Sequence, residues 1–246
     1  MSSCSIRSPR RVHLTPEGER FLPEARAPLA AAARARASVG PGETTIVLGT
    51  SEGLGDHLTR VLAALRELMP QLTVELAYAR TQARLDGVRD GSLTATFVRG
   101  LAGSTGLRLI PVWEDPILAA LPAAHEVAGP SVVELSELAP LRLRLSDRAT
   151  NPPLFDQLVS ACRDTGFAPD FGPVSNGLQN TLALIGADGT SWTPVYESHA
   201  RMLRSPNIAF RHLRPALAIT TYLAVRPGER PPWLNPLIQA SRDHDS

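Results

Sequence analysis

TTIVLGTSEGLGDHLTRVLAALRELMPQLTVELAYARTQARLDGVRDGSLTATFV, residues 44–98, alternates two hydrophobic periods, and that alternation decides the fold. Thr44–Gly49 is a short β-branched and apolar run that fits a buried parallel strand. From Leu54 to Met69 apolar residues stand at 54, 58, 61, 62, 65, 68 and 69, the spacing of one helical face. Leu72–Tyr78 reads as a second strand, Thr81–Asp90 as a second helix stopped by Gly91, and Leu93–Val98 as a third strand. Strands alternating with helices of this length predict βαβ units, a parallel sheet and right-handed crossovers.

Toward the C-terminus, Ile117–Leu121 and Leu141–Leu145 read as strands, Pro153–Thr165 as a helix ended by Gly166, and Thr181–Ile185 as part of another. Ala216–Val225 is a late strand, and Pro231–Arg242 a final helix with its prolines in the first turn. The whole predicts two α/β lobes. Toward the N-terminus, Thr15-Pro16-Glu17 combines an N-cap, a first-turn proline and an acid at the positive helix end, so a helix starts at about Pro16 and runs to about Ala37. Pro23 and Pro28 each cost about 3 kcal/mol in a helix interior, which predicts a kink. Ser38-Val39-Gly40-Pro41-Gly42 then reads as a linker, dividing residues 1–41 from 42–246.

A chain of 246 residues, 43% hydrophobic and 20% charged, has enough apolar material for a core, which excludes disordered and fibrous classes. All 25 basic residues are Arg, and the net charge is +1, so overall charge does not point to nucleic acid. The basic residues concentrate at the front, where residues 1–40 hold seven Arg against three Glu. Cys4 and Cys162 make neither a disulfide framework nor a metal-ligand spacing, and the six histidines show no H-E-x-x-H pattern, so no metal is expected. Walker and G-x-G-x-x-G patterns are absent, so no cofactor is expected. With no secretory signal and no transmembrane run, the expectation is a cytoplasmic protein without membrane contact.

Gly49-Thr50-Ser51-Glu52-Gly53 matches the G-x-S-x-G nucleophile elbow of α/β-hydrolases. An elbow serine sits late in an established sheet, whereas here only a linker and a basic helix precede the strand. His199, His212 and His244 are the late histidines, none in a distinctive motif. The plainer reading is that small residues at a strand end let an anionic ligand approach helix N-terminal amides, and the chain is not expected to be an enzyme.

Arg7-Ser8-Pro9-Arg10-Arg11-Val12-His13-Leu14-Thr15-Pro16-Glu17-Gly18 resembles the arginine-rich wing and following Leu-Thr-x-x-Gly of LysR-type transcriptional regulators. Gly91-Ser92-Leu93-Thr94-Ala95 is similar to the family's Gly-x-Leu-Asp-x, Leu121-Pro122-Ala123-Ala124-His125 to its Leu-Pro-x-x-His-Pro, and Gly186–Pro194 to the stretch before a family proline. Thr94 and Glu126 stand where the family has Asp and Pro. The resemblance spans nearly the whole chain. It implies two Rossmann-like lobes of the type 2 periplasmic-binding-protein kind, preceded by a linker helix and a remnant of a winged helix-turn-helix.

Lobe I would comprise about 42–114 and 219–246, and lobe II about 115–218, with crossings near Val112–Asp115 and Ala216–Thr221. Only six residues precede Arg7, so the chain is expected to lack the recognition helix. The resemblance further implies a homodimer or homotetramer that binds DNA through the complete N-terminal domain, with Arg7, Arg10 and Arg11 contacting DNA. A small anionic effector would bind in the interlobe cleft, at the carboxyl ends of the strands. Thr50, Ser51, Thr81 and Arg99 would face it from the first lobe, and Ser146, Thr193 and Pro194 from the second. Thr81 would cap its helix, and Arg99 would either grip a ligand carboxylate bidentately or make a structural bond to the hinge. The alternative is a small-molecule-binding or dimerisation module without its own DNA binding, as a solute-binding-like or decoy subunit.

Overall fold

Ser5–Ser8 (β1) and Arg11–Leu14 (β2) form an antiparallel hairpin in which Arg7 pairs with Val12 and Ser8 with Arg11. The structure, a computed structural model, describes residues 5–8, 11–18, 20–21, 24–25, 44–101, 106–173 and 177–242. Arg10, Pro23, Pro28 and the linker at 38–42 lie outside them. Thr15 is buried and accepts the Gly18 N–H on its Oγ1 at 3.1 Å, which caps the helical residues that start at 16 as the sequence predicts.

Beyond the linker, Thr44–Thr50 (β3), Asp56–Leu68 (α1), Leu72–Tyr78 (β4), Thr81–Asp90 (α2) and Ala95–Arg99 (β5) reproduce the predicted alternation. β3 pairs in parallel with both β4 and β5. The first helix starts later than its apolar spacing suggests, because residues 52–54 form a 3-10 turn and Gly55 takes φ +57° before α1 begins. Its buried face carries Val61 and Leu65 against Ile46, Leu48, Phe97 and Trp113. Burial of each such aliphatic side chain contributes roughly 1.5–3 kcal/mol.

The remaining elements are Arg108–Pro122 (β6), Val132–Glu134 (β7), Arg142–Leu143 (β8), Pro152–Asp164 (α3), Leu178–Asp188 (α4), Ser191–Tyr196 (β9), Glu197–Ala200 (α5), Ile208–Val225 (β10) and Leu234–Arg242 (α6). The sheet runs β4-β3-β5-β10-β6-β9-β8, with β7 beside β10. The parallel pairing expected from residues 44–98 holds for β3, β4 and β5, but the sheet as a whole is mixed: β10 is antiparallel to β5 and β6, and β6 to β9. The reason is the length of β6 and β10, 15 and 18 residues, which run side by side in opposite directions through both lobes. Sequence reading found only the ends of these strands, since Pro111, Glu114-Asp115-Pro116 and Pro215 interrupt their apolar runs. The expected crossings near 112–115 and 216–221 therefore fall inside continuous strands, where the ladder shifts register between His212 and Leu217 and between Thr221 and Tyr222.

β9 escaped the sequence reading because Pro194 argues against a strand. It is accommodated because β8 pairs only with Ser191 and Trp192, so no strand beyond them needs the missing N–H. Each lobe has its own core, Leu121, Leu135, Leu138, Leu143, Leu158 and Trp192 filling the second. His125 sits in a turn, its ring accepting the Val127 N–H at 3.3 Å.

The lobes meet at two glycines. A Cβ on Gly55 would lie 2.2 Å from the Ser198 carbonyl oxygen, and one on Gly100 2.4 Å from Pro153 Cβ; both glycines have positive φ. Gly55→Ala should therefore lower stability to urea by at least about 2 kcal/mol, the combined result of left-handed strain and a backbone collision. A loss of only a few tenths in an equilibrium melt would show that the lobes do not pack this closely.

Candidate functional site

The carboxyl ends of three neighbouring parallel strands place Thr50, Ser51, Thr81 and Arg99 together. Thr50 ends β3 and is buried, and its carbonyl accepts the Ala79 N–H at 3.4 Å, which ties β3 to the loop after β4. Ser51 leads into the 3-10 turn with φ −139° and ψ 160°, ordinary extended backbone rather than the strained turn of a nucleophile elbow. It lines a groove of about 420 Å³, with Leu54 and Leu58 on one side and His199, Met202 and Leu203 on the other.

Thr81 is exposed and opens α2, but it does not cap it: Arg80 holds the N-cap position, and Thr81 Oγ1 accepts from Arg84 Nη2 at 3.2 Å. Arg99 is not a free arm for a ligand carboxylate. Its Nε donates to Asp115 Oδ2 at 2.9 Å, its Nη2 donates to the same oxygen and to the Gly53 carbonyl, and its guanidinium lies 4.1 Å above the Tyr196 ring. Of the two roles left open for Arg99, the structural bond to the hinge is the one the structure shows.

The second-lobe residues are dispersed. Ser146 is exposed but lies three residues past β8, which ends at Leu143 rather than at 145 as expected. Thr193 and Pro194 are buried within β9, where Thr193 Oγ1 donates to the Arg144 carbonyl at 2.6 Å and Pro194 sits opposite Ala119. Both are consumed by the sheet. Of the DNA-contact candidates, Arg7 and Arg11 occupy the β1–β2 hairpin, and Arg10 is outside the described residues.

The residue that sequence reading missed is Asp115. It has no exposed surface and lies in β6 where the strand passes from one lobe to the other. Its Oδ1 stands 3.7 Å from His57 Nε2, too long for a hydrogen bond, and His57 stacks on Trp113 with ring centroids 4.5 Å apart. Burial alone would raise this carboxyl. The His57 ring, the charge and hydrogen bond of Arg99, and the Ser198 hydroxyl outweigh burial and hold it down at about 2. Tyr196 is fixed in turn, accepting from Asn151 Nδ2 at 3.1 Å. An acidic pair, Glu114 and Asp115, within a largely apolar run was the available signal, but the partners of Asp115 come from distant segments and could not be named from spacing.

The sign of the Asp115 shift fixes a pH window. Its folded value lies below the ordinary 3.8, so its stabilisation is complete above 3.8 and is lost as pH falls toward about 2. Asp115→Asn should remove that part of the acid limb in denaturant titrations. It should also cost on the order of 3–5 kcal/mol at neutral pH, because it strands Arg99. An unchanged acid limb would assign it to other carboxyls.

Against known proteins, residues 40–246 match the model for the LysR substrate binding domain. A probable hydrogen peroxide-inducible genes activator of Mycobacterium avium is 30% identical over 229 residues, which is 91% of this chain and 70% of that protein. Full-length CbnR complexed with its target DNA superposes with a TM-score of 0.76 at 22% identity, over 95% of this chain and 83% of CbnR. The BenM effector binding domain with its effector benzoate gives 0.70 at 22% identity, over 81% of this chain and 90% of that domain. With the domain matched from its first strand to its last helix, and with these relatives, the chain belongs to the LysR family of transcriptional regulators.

Proposed function

We propose that a small anionic metabolite binds between the lobes, at the carboxyl ends of β3, β4 and β5, and that its binding biases the lobe arrangement and so transcription. The observation that carries this reading is that Thr50, Ser51 and Thr81 stand at the carboxyl ends of β3 and β4, in a lobe end that also holds the buried Arg84, bonded to the Thr81 hydroxyl, and the half-buried Arg99. Ligand control requires differential affinity for two arrangements, and two strands shared by both lobes provide a joint that a ligand can bias. The division is residues 1–41 as wing and linker helix, about 42–114 with 219–246 as lobe I, and about 115–218 as lobe II. Thr50, Ser51 and Thr81 contact the ligand from lobe I and Ser146 from lobe II. Arg99 positions the floor through Asp115, and Thr193 with Pro194 acts as scaffold. BenM's pairing with benzoate supports an organic anion in a domain of this fold.

The mycobacterial relatives' name raises thiol oxidation as another trigger. Cys162 is the one cysteine in residues 40–246, it is fully buried, and burial pushes its thiol up to about 11, so it is held as an unreactive thiol. Ligand binding is the better-supported trigger. DNA contact by Arg7, Arg10 and Arg11, for which the CbnR–DNA complex is support, completes the reading, within a homodimer or homotetramer that carries the full DNA-binding domain. Among the described residues no helix is long and apolar enough to cross a membrane, and a regulator acting on DNA belongs in the cytoplasm.

Two measurements test this. Small carboxylates screened by thermal shift should raise the melting temperature of the chain, and Ser51→Ala with Thr81→Val should weaken the binding about tenfold or more; an unaffected affinity places the ligand elsewhere. In a chain carrying the complete DNA-binding domain, Arg7→Ala and Arg11→Ala should each reduce the slope of log affinity against log salt by about 1. An unchanged slope removes the hairpin from the DNA contact.

A further inference from the structure

Arg84 is buried on α2 with 3% of its surface exposed. Its Nε donates to the Ala79 carbonyl at 2.9 Å, Nη1 to Thr96 Oγ1 at 2.8 Å and to the Phe97 carbonyl, and Nη2 to Thr81 Oγ1 at 3.2 Å. Every one of these acceptors is a neutral oxygen. Arg99, Arg144 and Arg148 each face a carboxylate, but among the described residues none pairs with Arg84. A second cation, Arg99, is close enough to act on it. Burial first, and then Arg99, lower its guanidinium to about 10, which marks a positive charge held at a cost that the protein does not offset locally.

The consequence reaches the surface through Thr81. A hydroxyl has one proton, and Thr81 Oγ1 already accepts from Arg84, so its O–H is left to donate outward from an exposed position. Thr96 relays the same constraint inward: it accepts from Arg84 and donates to the Gly49 carbonyl at 3.0 Å. The rim therefore presents a donor over a cation. The Arg99 charge is already balanced by Asp115, whereas that of Arg84 meets no carboxylate among the described residues and is the uncompensated charge that lies buried at this end of the sheet.

We propose that Arg84 is a specificity-determining residue of the cleft, which orients the Thr81 hydroxyl as a donor and supplies a buried, unbalanced charge that selects a monoanionic carboxylate over its neutral isostere. This rests on the cleft being the ligand site.

The test is calorimetric titration of the full chain with two matched pairs, benzoate with benzamide and acetate with acetamide. The wild-type chain should favour at least one carboxylate over its amide by about tenfold or more, the gain expected of a charge-assisted contact. Arg84→Gln should bring that ratio to near unity, and Arg84→Lys, which keeps the charge, should retain most of it. A change in the ratio is a readout that loss of packing alone would not give. If Arg84→Gln fails to fold, Arg84→Lys and Thr81→Val carry the test: lysine should keep the ratio, and valine should weaken the carboxylate more than the amide. The proposal is overturned if the wild-type chain binds acid and amide alike, if it binds neither pair, or if Arg84→Gln keeps the wild-type ratio. If the ratio persists in Arg84→Gln while Ser51→Ala with Thr81→Val abolishes binding, the cleft reading stands and the role of Arg84 falls.

Discussion

Asp115 places a carboxylate beyond the reach of solvent in a strand that belongs to both lobes, and its surroundings have to satisfy that charge. They do so from across the chain. Arg99 comes from the end of β5, His57 from the first turn of α1 and Ser198 from α5, while the Gly53 carbonyl and the Tyr196 ring hold Arg99 in place. These contacts set the end of β5, the start of α1 and the start of α5 against one another. The starts of α1 and α5 also line the groove beside Ser51, so the buried ion pair and that groove share one set of constraints.

The second structural constraint is the joint itself. β6 and β10 carry an antiparallel ladder from one lobe to the other, and such a ladder resists sliding. Its register shifts, between His212 and Leu217 and between Thr221 and Tyr222, provide the natural places to bend. Gly55 against Ser198 and Gly100 against Pro153 bring the lobes into contact on either side of the joint. Interlobe geometry is thus held by strand pairing, close backbone contact and one buried ion pair, and a ligand between the lobes would act on all three.

Arginine, the chain's only cationic side chain apart from histidine, is held in opposite ways at Arg144 and at Arg84. In the second lobe Arg144 is neutralised by Asp188 at 2.8 Å, braced by Ser191 Oγ and donates to the Pro173 carbonyl. That clamp, with the Thr193 hydroxyl on the Arg144 carbonyl, turns a stretch resembling a ligand wall into scaffold. In the first lobe Arg84 has neutral partners alone, and among the described residues no carboxylate cancels its charge.

Residues 44–98 determined the first lobe from sequence because each of their elements is local: hydrophobic period, glycine stops and β-branched runs depend on near neighbours. The positions of Thr50, Ser51 and Thr81, at the end of a strand, just after it and at the start of a helix, were legible for the same reason. The wing-like hairpin and the Thr15 cap were equally local. What the sequence alone did not determine depends on distant segments meeting. The antiparallel passage of β6 beside β10 was hidden by prolines that break an apolar run without breaking a ladder, and β9 was hidden by Pro194, which is tolerated because β8 is short. The burial of Asp115, the capture of Arg99 and the neutral surroundings of Arg84 were decided by the tertiary structure. A side chain's charge is written in the sequence, but whether that charge is cancelled, buried or offered to a ligand depends on which remote groups the fold brings beside it.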